Sequence, residues 1–339
     1  MPEAVEVRKF ADIISTNVLG HNITSINILK GRYHTHNHTH KKPFEGYEEL
    51  VKALPLKIES INTKGKFTYM KLVSNTKIFY LFNTLGLTGG WTLKSNKKSN
   101  FAKCKHCNYM EVDSNIFTFP SILEYITEDR QNNWFKRALN HLNVEFITDY
   151  KNISFYFYDQ LSFGTLKAVE SDSGNDCPIL DKKLKELGPD LLNEATTFEV
   201  FKEQILKKVN QNKPIGNVIV NQKIISGVGN YLRADALWMA KISPFRKVKD
   251  IHDSDGKYSE LELLYKSLIG LIWGDYDYKT GIKKGYIDTS SSLKLPKDYE
   301  RDFFIYRQEH DIYDNIVKKE ELYEGSQKRF IYWVENIQT

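Results

Sequence analysis

The chain has 339 residues, of which 41% are hydrophobic and 27% are charged. This composition is typical of a globular protein and excludes a fibrous or disordered chain, and the length is enough for two packed domains. The formal net charge of +5 permits an anionic partner without requiring one. Three cysteines do not make a disulfide framework, and no apolar run approaches the ~18 residues of a spanning helix. We expect a soluble, intracellular protein with no membrane partner.

The first residues, Met1-Pro2-Glu3-Ala4-Val5-Glu6-Val7-Arg8, predict a helix that begins at the terminus. Pro2 suits a helix start, because the N–H that proline lacks would have no partner there. Initiator methionine is usually removed before a small residue, which would leave Pro2 as a free secondary amine. The pKa of an α-amino group lies within about two units of neutrality, so a neutral fraction could attack an aldehyde-like carbon. An ordinary helix cap, with acidic residues at the positive end of the dipole, fits the same residues.

Residues 22–165 predict a domain rich in β-strands. Apolar side chains alternate with other side chains along residues 153–158, which is typical of a half-buried strand. The predicted strands are Asn22–Leu29, Lys66–Val73, Lys77–Phe82, Val144–Thr148 and Ile153–Tyr158. Short strands separated by Gly and Asn favour a two-sheet β-sandwich. A helical insertion is expected at residues 121–142.

Two groups of potential metal ligands lie in this domain. The segment His34–His40 carries four alternating histidines, which would share one face of an extended chain. Cys104-Lys-His-Cys107 has the CxxC spacing, but no second pair of ligands follows at a zinc spacing. We interpret both as polar surface loops, and we predict no metal and no cofactor.

The composition changes at the acidic run Glu170–Asp176. We therefore predict an N-terminal domain over residues 1–172, a linker over 173–196 and a helical domain over 197–339. A loop rich in Gly, Lys and Ser is expected at residues 274–302. A β-hairpin finger at about residues 303–336 would pair two extended segments, Phe303–Gln308 and Arg329–Val334.

The stretch NQKIISGVGNYLRADALWMAKISPF, Asn221 to Phe245, predicts two helices joined by the turn Gly227-Val228-Gly229-Asn230. Such a turn permits positive φ and presents backbone N–H groups at a helix start, which favours a phosphate. Several lysines and Arg233 surround it, and we interpret them as a solvated basic face. The periodicity alone is equally typical of an ordinary packing corner.

The combination and order of these features resemble the Fpg/Nei family of DNA glycosylases. In that family the stretch around Gly227–Asn230 belongs to a helix-two-turn-helix element, and the resemblance covers nearly the whole chain. Further family-like segments are Pro2–Val7 (PEGPEV-type), Gly65-Lys66 (GK), Leu85–Gly89 (HLGMSG-type), Asp159–Gly164 (a degenerate DPRRFG), Leu187–Asp190 (LGPE-type) and Arg329–Gln338 (RTTHWVPxxQ-type).

The resemblance implies an α+β fold, with an N-terminal helix and a two-sheet β-sandwich followed by a helix-two-turn-helix domain and a β-hairpin finger. It implies base-excision repair by a bifunctional DNA glycosylase and AP lyase that forms a Schiff base at Pro2 and nicks the strand by β/δ-elimination. Glu3 would transfer protons and Glu6 would support it. The implied partner is double-stranded DNA containing oxidised bases or abasic sites, bound by a monomer, in the nucleus if the source is eukaryotic.

The resemblance also implies roles away from the amine. Lys66 would act in catalysis and, with Asn230 and Arg329, would bind the phosphates that flank the lesion. Leu87, Leu161 and Phe163 would fill the space left by the extruded base. Leu161 replaces an arginine that family members often insert, so the preference for the opposite base is open.

The finger departs from the family pattern. Many members hold it with four zinc-binding cysteines, but no cysteine follows Cys177, and Tyr313 and Asn315 stand near the first expected pair. The finger is therefore expected to be zincless, as in animal, plant and giant-virus members, and to be held by Phe304, Tyr306, Tyr332 and Trp333. The zincless finger and the segment Gly-Asn-Tyr-Leu-Arg favour oxidised pyrimidines and further-oxidised guanines as substrates.

Two other functions would account for part of the sequence. A non-catalytic DNA-binding protein on the same fold would have no need for Pro2 followed by Glu3, and this order favours the enzyme. A metal-binding β protein that uses the histidine run would leave Pro2, Lys66, Asn230 and Arg329 without a role.

Overall fold

The computed structural model describes residues 2–34, 43–120, 128–171, 177–251, 259–287, 303–324 and 327–339. The chain divides into two compact units, Met1–Lys185 and Glu186–Thr339. The segment predicted as a linker, 173–196, contains a helix, Pro178–Glu186. No helix in the described part of the chain combines the length and apolar character needed to cross a bilayer.

The first unit contains both helices and strands, as predicted. The helices are α1 (Ala4–Val18), α2 (Tyr47–Lys52), α3 (Glu128–Asn140) and α4 (Pro178–Glu186). The strands are β1 (Asn22–Ile28), β2 (Leu56–Lys64), β3 (Phe67–Val73), β4 (Ile78–Thr84), β5 (Gly89–Ser95), β6 (Cys107–Val112), β7 (Asn115–Pro120), β8 (Leu142–Thr148), β9 (Ser154–Asp159) and β10 (Thr165–Glu170).

Within the described residues these ten strands form one antiparallel sheet in the order β10-β4-β3-β2-β1-β8-β9-β5-β7-β6. The link between β1 and β2 is narrow, because only Asn22 with Lys57 and Ile23 with Leu56 pair there. It joins a half that ends at β10 to a half that ends at β6. Side chains of both halves enter one buried cluster, for example Met70 on β3 and Phe146 on β8. The predicted antiparallel β domain is confirmed, and its two halves belong to one hydrogen-bonded sheet.

Helix α1 is part of the core of this unit. Its apolar face contributes Phe10, Ile14 and Val18, and these side chains are at most 3% exposed. Phe10 meets the ring of Tyr158 edge-on, at 6.3 Å between ring centroids. Burial of such side chains is worth about 1.5–3 kcal/mol each. The start of α1 is therefore held in place by the packing of its later turns.

The helical insertion between β7 and β8 is confirmed where it is described, as α3. Residues 121–127 lie outside the described part of the chain. Phe135 stacks on Phe119 of β7, with 4.3 Å between ring centroids and 14° between ring planes. Trp134 contacts Tyr158 of β9 at 6.0 Å. The insertion therefore packs on the sheet through aromatic side chains.

Helices dominate the second unit, which ends in a two-stranded ribbon. The helices are α5 (Phe198–Ile205), α6 (Ile215–Val218), α7 (Asn230–Met239) and α8 (Glu260–Lys283), and the strands are β11 (Lys318–Glu324) and β12 (Gln327–Trp333). The prediction of a loop from residue 274 is wrong up to Lys283, because α8 continues. The helix is kinked at Asp277, whose φ is −157°. Its carboxylate accepts from Thr280 N at 3.3 Å and Thr280 Oγ1 at 2.6 Å, which caps the next turn. Residues 288–302 lie outside the described part of the chain.

The final hairpin is present, but one of its predicted strands is wrong. Arg329–Val334 overlaps β12, whereas the partner strand is β11 and not Phe303–Gln308. Phe304 and Ile305 are consecutive and both buried, which an alternating strand does not allow. The Asp235 carboxylate accepts the backbone N–H groups of Phe304, Ile305 and Tyr306 at 3.0–3.1 Å, which bends the segment around one side chain.

The aromatic residues that were expected to hold the hairpin have different partners. Tyr306 contacts Tyr332 on β12 at 5.2 Å between ring centroids. Phe304 stacks on Trp238 of α7 at 5.0 Å, and Trp333 meets Phe245 at 5.2 Å. The hairpin is thus held both by its own rings and by rings from the helical part of the unit.

We expect the stability of the second unit to depend on pH through Asp235. Burial raises the pKa of this carboxyl from 3.8 to about 6, against the opposing effect of its three backbone donors. Between these values the unfolded chain has lost the proton that the folded chain keeps, so stability falls as pH rises. Urea unfolding should show wild type losing up to about 3 kcal/mol relative to D235N between about pH 4 and pH 7. A pH-independent difference would contradict this.

Candidate functional site

The start of α1 places Pro2 directly before a buried carboxyl group. Glu3 is the N-cap residue, with φ −114° and ψ −169°, and it is 0% exposed. Its backbone N–H donates to Glu6 Oε2 at 2.9 Å. This is the reciprocal contact of a capping box, which fixes where a helix begins. Pro2 is half-buried at the last position before the cap.

Lys66 lies in the same unit, at a tight turn rather than in a strand. Gly65 and Lys66 join β2 to β3, between the paired residues Lys64 and Phe67. Gly65 has φ +56°, a conformation that favours glycine. Phe67 packs edge-on against Phe82 at 5.3 Å, which anchors the turn. Lys66 is half-buried at this turn, as is usual for a lysine whose aliphatic stem packs on the protein surface.

Three apolar side chains stand out from the first unit on two neighbouring loops. Leu87 is 44% exposed, on the loop between β4 and β5. Leu161 and Phe163 are 49% and 58% exposed, on the loop between β9 and β10. A Cβ added to Gly86, whose φ is +61°, would lie 2.7 Å from the backbone of Phe163 and Gly164, so the loops touch. We call Leu87, Leu161 and Phe163 the apolar ridge.

The buried carboxylate of Asp159 holds the two loops that carry the apolar ridge. It accepts from Thr88 Oγ1 at 2.6 Å on one loop, and from Leu161 N at 3.2 Å and Gly164 N at 2.6 Å on the other. Arg32 donates to the carbonyl oxygens of Ser162 and Gly164, each at 3.2 Å. Neighbouring exposed apolar side chains of this kind often mark an interaction surface.

In the second unit, the predicted turn precedes α7. Gly227 has φ +100°, which confirms the expected left-handed position. The Gln222 side chain accepts from Gly227 N at 2.8 Å and donates to Val228 O at 2.8 Å. Asn230 is the first residue of α7 and is half-buried. The helix start that was expected to favour a phosphate is therefore present and braced.

Arg233 joins this helix start to the final hairpin. Its Nη2 donates to Asn230 Oδ1 at 3.2 Å and to the Phe330 carbonyl oxygen at 2.9 Å. Its Nη1 lies 3.4 Å from the carbonyl oxygen of Gly216 in α6. Arg329, half-buried on β12, is adjacent in the chain to Phe330. One guanidinium thus brings the elements that carry Asn230 and Arg329 together.

The interpretation of Arg233 as part of a solvated basic face is wrong, since it is 0% exposed. The signal that could have located it is the occurrence of two charged residues, Arg233 and Asp235, among the apolar residues of α7 from Leu232 to Leu237. Asp159, Gln222 and Asp311 were also missed as supporting residues. Most of their partners are loop backbone groups, which leave no periodic pattern in a sequence.

The segment where the first zinc-binding pair was expected is organised by the carboxylate of Asp311. Its Oδ1 accepts from Tyr313 N and Asn315 N, each at 2.9 Å, and Oδ2 accepts from Trp238 Nε1 at 3.1 Å. Asn315 Nδ2 donates to the same carboxylate at 3.1 Å. Asp311 is 1% exposed. A turn of this part of the finger is therefore closed by hydrogen bonds around a buried carboxylate.

Of the two groups of potential metal ligands, the structure describes the cysteine pair but only His34 of the histidine run. His34 follows a short 3-10 turn, while the rest of the run, residues 35–40, lies outside the described part of the chain. Cys104 and Cys107 are free thiols at the start of β6. Among the residues that the structure describes, no three His, Cys, Asp or Glu side chains come together around a position for a metal ion.

The fold is shared with solved structures of Fpg and MutM bound to DNA. Lactococcus lactis Fpg in complex with abasic-site DNA matches 99% of this chain and 99% of its own, with a TM-score of 0.64 and 19% identity. MutM in complex with DNA containing carbocyclic 8-oxo-G matches with a TM-score of 0.63 and 18% identity, again over 99% of both chains. At identities of 19% and 18%, this likeness shows the fold alone.

Matches to protein-family models identify the family of the chain. The Formamidopyrimidine-DNA glycosylase N-terminal domain matches residues 1–166, its H2TH domain residues 187–272 and its C-terminal domain residues 293–339. These segments together cover most of the chain and follow the order of the resembling motifs. The chain belongs to the Fpg/Nei family of DNA glycosylases.

Curated relatives match over a shorter segment. Endonuclease 8 of Escherichia coli is 35% identical over 69 residues, which are 20% of this chain and 26% of that protein. The aligned segment thus spans about a quarter of the length of these relatives.

We expect Arg233 to stabilise the second unit strongly. R233M keeps much of the side-chain volume but leaves the carbonyl oxygens of Gly216 and Phe330 and the Asn230 amide without this donor. Removing one partner of a buried charged hydrogen-bond group costs about 3 kcal/mol, and urea unfolding should show a loss of that order. K223M removes an exposed charge nearby and serves as the matched control, with a change below about 0.5 kcal/mol. Equal effects of the two substitutions would refute the role.

Proposed function

We propose that this chain is a bifunctional DNA glycosylase and AP lyase of base-excision repair, which acts on double-stranded DNA containing oxidised bases or abasic sites. The observation that carries the proposal is the position of Pro2. It lies directly before a buried Glu3, at the start of a helix whose remaining turns are packed in the core. Membership of the Fpg/Nei family supports it.

The proposed nucleophile is the secondary amine of Pro2 after removal of Met1. Its lone pair would attack C1′ of the damaged nucleotide, and the bond to the base would break as the base leaves with a proton. The C1′–O4′ bond of the sugar ring then breaks as O4′ takes a proton. This ring opening leaves a Schiff base between the Pro2 nitrogen and C1′, which is covalent catalysis by an amine. Loss of a proton from C2′ then allows β-elimination of the 3′ phosphate, and δ-elimination releases the 5′ phosphate.

Glu3 is the proposed acid and base for these proton transfers, because it is adjacent to the amine and buried. Glu6 has a supporting role that its geometry favours, since its carboxylate accepts the Glu3 N–H at 2.9 Å. It would hold the cap in position while the Glu3 side chain exchanges protons. No cofactor is required for this chemistry.

Lys66, Asn230 and Arg329 are proposed to bind phosphates on either side of the lesion, with Lys66 also acting in catalysis near the reacting sugar. The buried Arg233 supports this assignment for two of them, because it fixes Asn230 and the strand next to Arg329 through one group. Phosphate contacts set the register of the protein on DNA without reading its sequence.

The apolar ridge is proposed to fill the space in the duplex when the damaged base is extruded. Leu87, Leu161 and Phe163 are exposed, and Asp159 fixes the two loops that carry them. Apolar side chains inserted between base steps stabilise kinked DNA, and an enzyme that acts on a base must first remove it from the stack.

Oxidised pyrimidines and further-oxidised guanines are the proposed preferred lesions, and the finger is proposed to be zincless. The carboxylate of Asp311 closes the turn that contains Tyr313 and Asn315, which supports a finger built without metal. Stoichiometric zinc in the purified protein would contradict this assignment. We propose that the protein acts as a monomer, which sedimentation can test.

A non-catalytic binder of damaged or kinked DNA is the second candidate. The apolar ridge and the Arg233 arrangement would serve it equally well. It gives no role to a free amine beside a buried Glu3, which is why the enzyme is preferred. Covalent trapping separates the two.

We expect borohydride to reduce the Schiff base and to link the wild-type protein covalently to lesion-bearing duplexes. The yield should be higher with an oxidised pyrimidine than with 8-oxoguanine. One residue retained before Pro2 removes the secondary amine and should lower the yield by at least about a hundredfold, since nucleophilic attack is then lost. Gel mobility of the labelled oligonucleotide measures the adduct.

The matched control carries the same extra residue at the C-terminus and should trap as wild type does. Binding affinity for the duplex, measured without borohydride, shows whether the N-terminal extension still docks. Absence of an adduct from wild type on every oxidised-base and abasic-site substrate would refute the enzyme and leave the binder.

We expect N230A and R329A to weaken binding to all lesions alike, by about tenfold or more, because a hydrogen bond to a charged group is worth about 1.5–3 kcal/mol. They should differ in their dependence on salt. R329A removes a charge and should reduce the slope of log affinity against log salt by about 1, whereas N230A should leave the slope unchanged.

N133A and R137A are the matched controls, since both residues are exposed on α3. Each removes the same type of side chain away from the proposed phosphate contacts and should bind as wild type does. A loss of affinity for one lesion only, in either N230A or R329A, would contradict the role in phosphate binding.

A further inference from the structure

Two thiols meet at a turn that the proposed function does not use. Cys104 and Cys107 are both half-buried, and the Cys107 N–H lies 3.4 Å from the Cys104 carbonyl oxygen across a four-residue turn. The turn leads into β6, the strand at one end of the order in the described sheet. The preceding loop is tied to α1, because Ala102 N donates to Asn17 Oδ1 at 2.9 Å.

The separation expected across such a turn is compatible with a disulfide. A four-residue turn brings its end Cα atoms within about 7 Å, and a disulfide spans about 4.4–6.8 Å between Cα atoms. The two side chains lie close enough for the Cys107 thiol to favour the Cys104 thiolate through a hydrogen bond. The third cysteine, Cys177, is 3% exposed and lies elsewhere in the fold, so a bridge within the turn is the local choice.

The surroundings of the two thiols shift their pKa values in opposite directions. The hydrogen bond from Cys107 lowers the pKa of Cys104 to about 7, and the backbone N–H of His106 and the charge of Lys105 act in the same direction. Burial and the Asp12 carboxylate on α1 oppose this change.

The same hydrogen bond, together with burial, raises the pKa of Cys107, while the Tyr109 hydroxyl lowers it. A thiolate is the nucleophile in exchange with disulfides, so Cys104 is suited to attack and Cys107 to resolve.

We propose that Cys104 and Cys107 form a redox-active dithiol that exchanges with small-molecule disulfides and closes to an intrachain bridge. The Cys104 thiolate attacks one sulfur of the small disulfide, and its other half leaves as a thiolate. Cys107 then loses its proton and attacks Cys104 Sγ, which releases the second thiol and forms the protein bridge. The protein gives up two electrons and two protons, and the small disulfide takes them up.

The inference is independent of the proposed DNA chemistry, since neither thiol belongs to the proposed active site. It gives the segment Cys104-Lys-His-Cys107, which sequence reasoning interpreted as a polar surface loop, a chemical role. An inert pair of packed thiols is the alternative that the experiment must separate from it.

The test equilibrates the full-length reduced protein with glutathione buffers of increasing oxidised fraction, followed by acid quenching, alkylation and peptide mapping. Wild type should lose two hydrogens and yield the Cys104–Cys107 bridge. C107S should accumulate the glutathione mixed disulfide at Cys104, because the resolving thiol is gone. C104S should accumulate at least about tenfold less at Cys107.

A second measurement follows iodoacetamide alkylation of each cysteine against pH. The midpoint for Cys104 should lie near 7 in wild type. It should move toward the ordinary thiol value of about 8.5 in C107A, which removes the hydrogen bond.

Three results would overturn the proposal: an ordinary alkylation midpoint for Cys104 in wild type, failure of oxidised glutathione to form the bridge in wild type, or a bridge from either thiol to Cys177. Stoichiometric zinc released on alkylation of the pair would overturn it as well. The wild-type peptide map decides the matter even if a variant fails to fold.

Discussion

The first turn of α1 depends on the hydrogen bond from the backbone N–H of Glu3 to the Glu6 carboxylate. A buried backbone N–H without an acceptor costs about 1–3 kcal/mol, so this contact decides where the helix begins. Because the later turns of α1 are fixed in the core by Phe10 and Ile14, the position of the cap fixes Pro2 in turn. The geometry of the proposed nucleophile follows from ordinary capping and packing.

Elsewhere in each unit, buried charged side chains hold loops in position through hydrogen bonds. Asp159 holds the loops of the apolar ridge, Asp235 gathers three consecutive N–H groups, and Asp311 closes a turn of the finger. Arg233 supplies donors where the others supply acceptors. Loops cannot satisfy their backbone groups in ladders, so a buried charge that meets several of them is an efficient substitute. Asp159 and Arg233 support surfaces that are proposed to contact DNA, and Asp235 and Asp311 support the finger.

Elements with regular periodicity could be predicted from the sequence, and those held by single side chains could not. The strand pattern at Phe155 and Phe157, the helix at Pro2 and the turn at Gly227 each follow from local rules. Strand β11 was missed because its sequence, KKEELYE, has one buried residue, Leu322, and otherwise the composition of a solvated surface. The aromatic residues of segment 303–308 suit a strand, but long-range hydrogen bonds to Asp235 bend the segment.

Among the candidate site residues, those proposed to contact DNA could be suggested from the sequence, whereas the residues that support them could not. Resemblance pointed to Pro2, Asn230 and Arg329 through motifs, while the residues that position them are recognised only by their contacts. The central claim is that the Pro2 nitrogen forms the covalent bond to the damaged sugar. Mass-spectrometric mapping of the borohydride-reduced adduct tests it most directly. We expect the modified peptide to begin at Pro2 and to carry the deoxyribose remnant on its terminal nitrogen. An adduct on a lysine such as Lys66, with Pro2 unmodified, would contradict the claim.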